Sequence, residues 1–288
     1  KPAFGDDCFI RYLFSDEGNE NIVLDFINGV MIDLNFQTFN NVVILNPFNL
    51  TKYLDGKESI VDVKCITEDN QTVIIEIQLC GNIDFLKRIF YYISKNIVNE
   101  VKEGENYNNV QKIISINLLD FNLKFGDKGK AHRCFKLIDT KDLNISLDLI
   151  QIHILEVKRF IEIIKNSTKE ELKKNRLLSW MKFFTSDNLE LIEEELKEEN
   201  QIMSKVIEEY RKFTSDDKMM RAYASREAFL VGQKMMLRRE REDGFDEGKL
   251  EGIKERNYSI AKNLKKVGSD IKFISEITGL TIDEIEKL

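Results

Sequence analysis

The chain has 288 residues, 42% of them hydrophobic and 32% charged, which fits one large or two ordinary folded domains. It holds no run of about 18 apolar residues and no secretory h-region at its start, so neither a membrane span nor a leader is expected. Its net charge of −7, acidic on both sides of a division at residue 160, counts against binding nucleic acid through bulk charge; any such contact needs a local patch.

In chain order, NENIVLDFINGVM (residues 19–31) places Ile22, Leu24, Phe26, Ile27 and Val30 near helical spacing, which reads as a helix. NVVILNP follows as a short β-branched run. Two alternating strands come next, ESIVDVKCIT and QTVIIEIQLC, joined by Glu68, Asp69 and Asn70. A three-residue loop ending in Asn suits a hairpin, because Asn tolerates the left-handed conformation. Residues 82–101 place Phe85, Ile89, Tyr92, Ile93 and Ile97 on one helical face, with Gly104 as the stop. VQKIISINLLDF is apolar nearly throughout and belongs inside a sheet. SLDLIQIHILEV is a further strand. The expected core is therefore an α/β arrangement over residues 1–160, with a central mixed sheet flanked by helices.

After residue 160 the chain turns rich in Lys, Glu and Leu and lacks proline, so long helices are expected. We divide this all-helical C-terminal region into 161–240 and 241–288. The second part opens with Gly244, Gly248 and Gly252, spaced for a close helix crossing or a frayed segment. It ends as a small helix-turn-helix, with TGL as the turn and TIDEIEKL as the second helix. Asp283, Glu284 and Glu286 make that last helix too acidic to read DNA. They point to packing or self-association, a homo-oligomer through the C-terminal region.

The hairpin carries the chemistry. Residues two apart share a strand face, so Asp62 and Lys64 point one way, as do Glu76 and Gln78 on the second strand. If Thr67 and Gln71 flank the turn, Asp62 faces Glu76, with Cβ atoms about 5 Å apart. Adjacent carboxylates suit a hard divalent cation, Mg²⁺ or Mn²⁺, which binds phosphate oxygen and acidifies water. Lys64 or Gln78 would orient that water or stabilise phosphate charge. A solvated polar strand face would carry the same acids. Arg88 and Tyr92, four apart on one helix, fit a phosphate contact or a brace for the metal ligands; equally, Tyr92 fits the core and Arg88 the surface. The cysteines Cys8, Cys65, Cys80 and Cys134 form no C-x-x-C pair, and His132 and His153 are the sole histidines. That pattern speaks against zinc and for reduced thiols in a cytoplasmic protein.

The stretch KESIVDVKCITEDNQTVIIEIQLC, with FLKRIFYYISKNIVNEVKEGENYNNVQKIISINLLDF after it, resembles the PD-(D/E)XK family of transposases and recombination-promoting nucleases. FIRYLFSDEGNENIVLDFINGV, IHILEVKRF, LLSWMKFF and TGLTIDEIEKL extend the likeness over nearly the whole chain. The resemblance implies a restriction-endonuclease-like fold and a metal-dependent endonuclease acting on DNA in recombination or transposition. It puts Asp62 at the first acid, Glu76 at the second, and Gln78 where many superfamily members carry lysine. It implies an acid on the first helix as a further ligand, Glu20 or, behind it, Asp25. The alternatives are a catalytically degenerate nuclease fold that binds DNA or protein, and a scaffold whose helical tail is the working part.

Overall fold

The computed structural model describes residues 3, 5–46, 63–78, 85–100, 107–123 and 130–288. Helices α1 (Asp7–Ser15) and α2 (Glu20–Asp33) precede strands β1 (Val42–Ile44), β2 (Val63–Thr67) and β3 (Thr72–Gln78). Helix α3 (Phe85–Glu100), β4 (Ile113–Leu119), β5 (His132–Ile138) and β6 (Ser146–Glu156) follow. The described strands form one mixed sheet in the order β1-β2-β3-β4-β6-β5. Pairing is parallel for β3/β4 and β4/β6 and antiparallel elsewhere.

The hairpin has the expected register. Val63 pairs with Ile75, Lys64 with Ile74 and Cys65 with Val73. The Thr67 N–H donates to the Gln71 carbonyl at 3.0 Å, and Asn70 takes φ 60° at the loop end. Asp62, Cys80 and Gly104 lie outside the described residues. Two elements are missing from the expected order. Helix α1 is buried on every side, and the helical signal in its sequence, the polar residues Asp7, Arg11 and Ser15 set four apart, was passed over. Strand β5, HRCFKLI, mixes polar and apolar residues without clean alternation and is half-exposed at the sheet edge, which hides it as well.

Strand alternation sorts the core into two layers. Val63, Cys65, Val73, Ile75, Ile114, Ile116 and Leu118 face α1 and α2. Ile74, Ile113, Leu119, Ile152 and Ile154 face Phe85, Ile89 and Ile93 of α3. Strand β4 is buried along its whole length, as its apolar run requires. Each fully buried Ile, Leu or Phe contributes about 1.5–3 kcal/mol, so the two layers fix the register against a one-residue slip.

Helices α4 (Val157–Asn166), α5 (Lys169–Lys174), α6 (Arg176–Thr185), α7 (Leu189–Glu199) and α8 (Met203–Ser215) close the first layer. Trp180, Phe183, Val206 and Phe213 join Phe9, Phe14 and Phe26 in one cluster. The chain's two compact units are Lys1–Arg226 and Glu227–Leu288. The change in composition near residue 160 thus marks the end of the strands, and the helices beyond it complete the same core.

Helix α9 (Asp217–Lys266) runs from the first unit into the second, which ends in α10 (Ile271–Thr278) and α11 (Ile282–Glu286). Ala261, Ile274, Leu280 and Ile285 form its small core. Gly279 at φ 71° stops α10, and Thr281 with Glu284 forms a capping box that starts α11, which is the expected helix-turn-helix outline. At Gly244, Gly248 and Gly252 no atom comes within 4 Å of where a Cβ would stand. The close crossing that their spacing suggested therefore has no partner among the described residues. Among those residues no helix is long and apolar enough to cross a membrane.

Candidate functional site

A row of polar side chains faces α3. Alternation along β3 puts Glu76 and Gln78 on the Ile74 side, and pairing across to β2 puts Lys64 there too. In β4, Asn117 stands beside Glu76 and Leu119 beside Gln78; in β6, Ile154 and Glu156 continue the two rows. Adjacent strands lie about 4.8 Å apart, which makes Glu76 and Asn117 direct neighbours. Gln78, Leu119 and Glu156 end the three parallel strands, and the carboxyl ends of such strands are where α/β sheets take ligands.

Glu76 is only 6% exposed, and a carboxylate that deep requires compensating charge or hydrogen bonds. Asn117 is fully buried. Its Nδ2 donates to Ser115 Oγ at 3.0 Å and to the His153 carbonyl at 2.9 Å. Its Oδ1 is buried without a hydrogen-bond partner, a state that costs about 1–3 kcal/mol.

Two cations share this face. Lys64 and Arg88 are both half-buried, and neither makes an ion pair among the described residues. The Arg88 guanidinium lies 5.8 Å over the Tyr92 ring, and its Nε has no hydrogen-bond partner. Phe85 meets Phe121 edge-on at 5.9 Å, which fixes the start of α3, and hence the Arg88 end, near the carboxyl end of β4. Glu156, 1% exposed, accepts from the Leu123 N–H at 3.2 Å and from Arg159 Nε at 2.5 Å. It anchors the segment after β4.

The first-helix acids lie elsewhere. Glu20 opens α2, which packs on the opposite face of the sheet. It stands near Cys65 of that face, where burial, helped by the Glu20 charge, pushes the thiol up to about 12. Asp25 is committed to the fold, accepting from Trp180 Nε1 at 2.9 Å, Asn200 Nδ2 at 2.7 Å and Arg176 at 3.2 Å. The structure therefore brings Lys64, Glu76, Gln78, Arg88 and Tyr92 to one face and leaves Glu20 on the other.

The donor set on the α3 face fits a hard divalent cation. It consists of oxygens: the Glu76 carboxylate and the amides of Gln78 and Asn117. The orphaned Asn117 oxygen is the observation that favours a ligand there. Among the described residues no three His, Cys, Asp or Glu side chains converge as a metal cluster would. The other carboxylate offered by the hairpin sequence is Asp62, outside those residues.

A family model described as the PD-(D/E)XK nuclease family transposase matches residues 5–240. The chain belongs to that family. No curated protein and no solved structure matches it. The PD-(D/E)XK match takes in the whole sheet and α1 to α8 and stops short of residues 241–288.

Sequence reasoning passed over Asn117. The signal for it was present: Ser115 and Asn117 are polar residues set two apart inside the seven-residue apolar strand IISINLL. It also passed over a second buried network in this PD-(D/E)XK core. His132 and His153 are strand residues. His132 Nδ1 lies 2.8 Å from Asp33 Oδ2, and its Nε2 lies 2.9 Å from His153 Nδ1. Gln151 Nε2 lies 2.8 Å from His153 Nε2, and Asn175 Nδ2 donates to Asp33 Oδ1 at 2.8 Å. Gln151 donating to His153 Nε2 puts the His153 proton on Nδ1 and the His132 proton on its own Nδ1, facing Asp33. Burial drives His153 down to about 3, so it is neutral.

Proposed function

We propose that the chain is a divalent-cation-dependent DNA endonuclease, cutting phosphodiester bonds in recombination or transposition. The observation that carries the reading is the buried Glu76 carboxylate, beside the oxygen donors Asn117 and Gln78 toward the carboxyl end of the parallel strands, on the sheet face that Lys64 and Arg88 share. Family membership over residues 5–240 supports it. Asp62 and Glu76 would hold Mg²⁺ or Mn²⁺. When bound, that ion supplies charge for the scissile phosphate and a more acidic water. Gln78, one turn of the pleat beyond Glu76, would orient the water or a phosphate oxygen. Lys64 supplies the positive charge that lysine supplies at the Gln78 position elsewhere, and it stabilises the developing phosphate charge. Arg88, braced by Tyr92, would take a flanking phosphate. Glu20 remains a ligand candidate from the sequence alone, since its helix lies across the sheet from Glu76.

The C-terminal unit would join two copies. Ile253 and Ile260 lie seven residues apart on α9 and are 41% and 36% exposed, the spacing of a coiled-coil seam. The free thiols of Cys8, Cys65 and Cys134 suit a reducing, cytoplasmic setting.

Plasmid cleavage with Mg²⁺ or Mn²⁺ tests the reading, comparing the parent with Asp62→Ala and Glu76→Ala. Nicking that needs metal and disappears in both variants is expected. Equal nicking in all three would refute the assignment of the site. Folded protein that binds plasmid without cutting it would instead favour a degenerate binding module, for which the acidic charge and Gln78 already speak.

A further inference from the structure

We infer that Asn117 is a third oxygen donor of the cation site beside Glu76, an inference that rests on the metal-dependent reading of that face. Asn117 is the strand neighbour of Glu76 in the parallel β3/β4 pairing, on the same side of the sheet, and it is fully buried. Its amide is held at one end only. Both Nδ2 hydrogens are used, one on Ser115 Oγ at 3.0 Å and one on the His153 carbonyl of β6 at 2.9 Å.

An amide is planar, with its oxygen and nitrogen on opposite sides of Cγ. Fixing the nitrogen toward β6 and Ser115 leaves Oδ1 on the side away from β6, where β3 lies. That oxygen has no hydrogen-bond partner. A solely structural asparagine would satisfy both ends of its amide, and one kept only for its N–H groups would leave a buried acceptor idle. A neutral carbonyl oxygen beside a carboxylate is what a hard divalent cation accepts. Because Asn117 adds no charge, it completes the oxygen set without adding repulsion to the acids of the site.

The test is Mn²⁺ binding to the metal-free full chain without DNA, read from the electron paramagnetic resonance signal of free Mn²⁺. Asn117→Leu keeps the volume and removes the oxygen; Asn117→Asp keeps an oxygen but loses the same two N–H donors. Expected is a weakening of about tenfold or more for Asn117→Leu, with Asn117→Asp binding at least as tightly as the parent. A purely structural Asn117 would make the two variants behave alike, because both break the bonds to Ser115 and His153. Equal Mn²⁺ affinity in parent and Asn117→Leu, alongside lost affinity in Glu76→Gln, would overturn this inference and leave the metal site standing. No Mn²⁺ binding by the parent would overturn both.

Should either Asn117 variant fail to fold, the parent itself serves. The Asn117 side-chain amide resonances should shift as Mg²⁺ is added, and the shift should vanish in Glu76→Gln. Unmoved resonances at saturating Mg²⁺, while backbone signals around Glu76 move, would overturn the assignment.

Discussion

Acidifying the medium from pH 7 to pH 5 should weaken the larger unit through one residue, His153. Burial holds it neutral, down to about 3 from an ordinary 6.5. In the unfolded chain it takes up a proton below pH 6.5; in the fold it does not. Stability is therefore complete above that value and falls as the pH drops, by about 1.4 kcal/mol per unit. At pH 5 the loss is about 2 kcal/mol, from 1.5 units.

Asp33 does not confound this window. Burial alone would raise it, but hydrogen bonds from His132 and Asn175 outweigh burial and hold it below its ordinary 3.8. Its contribution is fully present above 3.8 and fades only as the pH falls further. The assay is urea unfolding followed by the fluorescence of Trp180, the single tryptophan of the chain, which is fully buried in that unit. Parent and His153→Gln are compared at pH 7, 6 and 5. The variant has a lower baseline because its network is broken, but its stability should fall less steeply, by about 2 kcal/mol over the range. Parallel pH profiles for the two proteins would refute the buried neutral imidazole.

Two further outcomes follow from local geometry. Asn70 holds φ 60°, so Asn70→Ala should cost about 1 kcal/mol in thermal unfolding, whereas Asn70→Gly should be nearly neutral; equal effects would mean that the loop does not need the left-handed residue. Arg88 makes no ion pair among the described residues, so Arg88→Ala should leave stability nearly unchanged while lowering DNA affinity and reducing the slope of log affinity against log salt by about one. An unchanged slope in fluorescence-anisotropy titrations would remove Arg88 from the interface.

Much of the sheet was legible because a strand writes its faces with period two. The alternation in QTVIIEIQLC put Glu76, Gln78 and Lys64 on one face for any even shift, and the Asn at the end of a three-residue loop pointed to the register the structure has. The stripe of Phe85, Ile89 and Ile93 did the same for α3, and the unbroken apolar run of IISINLL placed β4 in the interior. These are local properties, decided by residues a few positions apart.

Tertiary structure decided what depends on residues far apart in the chain. That α2 packs on the face opposite Glu76, taking Glu20 with it, follows from which apolar faces stack. No spacing within α2 records that choice. The join of Asp33, His132, His153 and Asn175 needs a helix end, two strands and a helix cap to meet, and the sequence holds these only as isolated polar residues. The helices beyond residue 160 complete the first core because Trp180, Phe183 and Phe213 find Phe9, Phe14 and Phe26 across more than 150 positions, a match of shape and burial that composition cannot express. The orphaned oxygen of Asn117 is of the same kind: the residue is plain in the sequence, but which end of its amide is satisfied depends on a carbonyl of β6 brought alongside by folding.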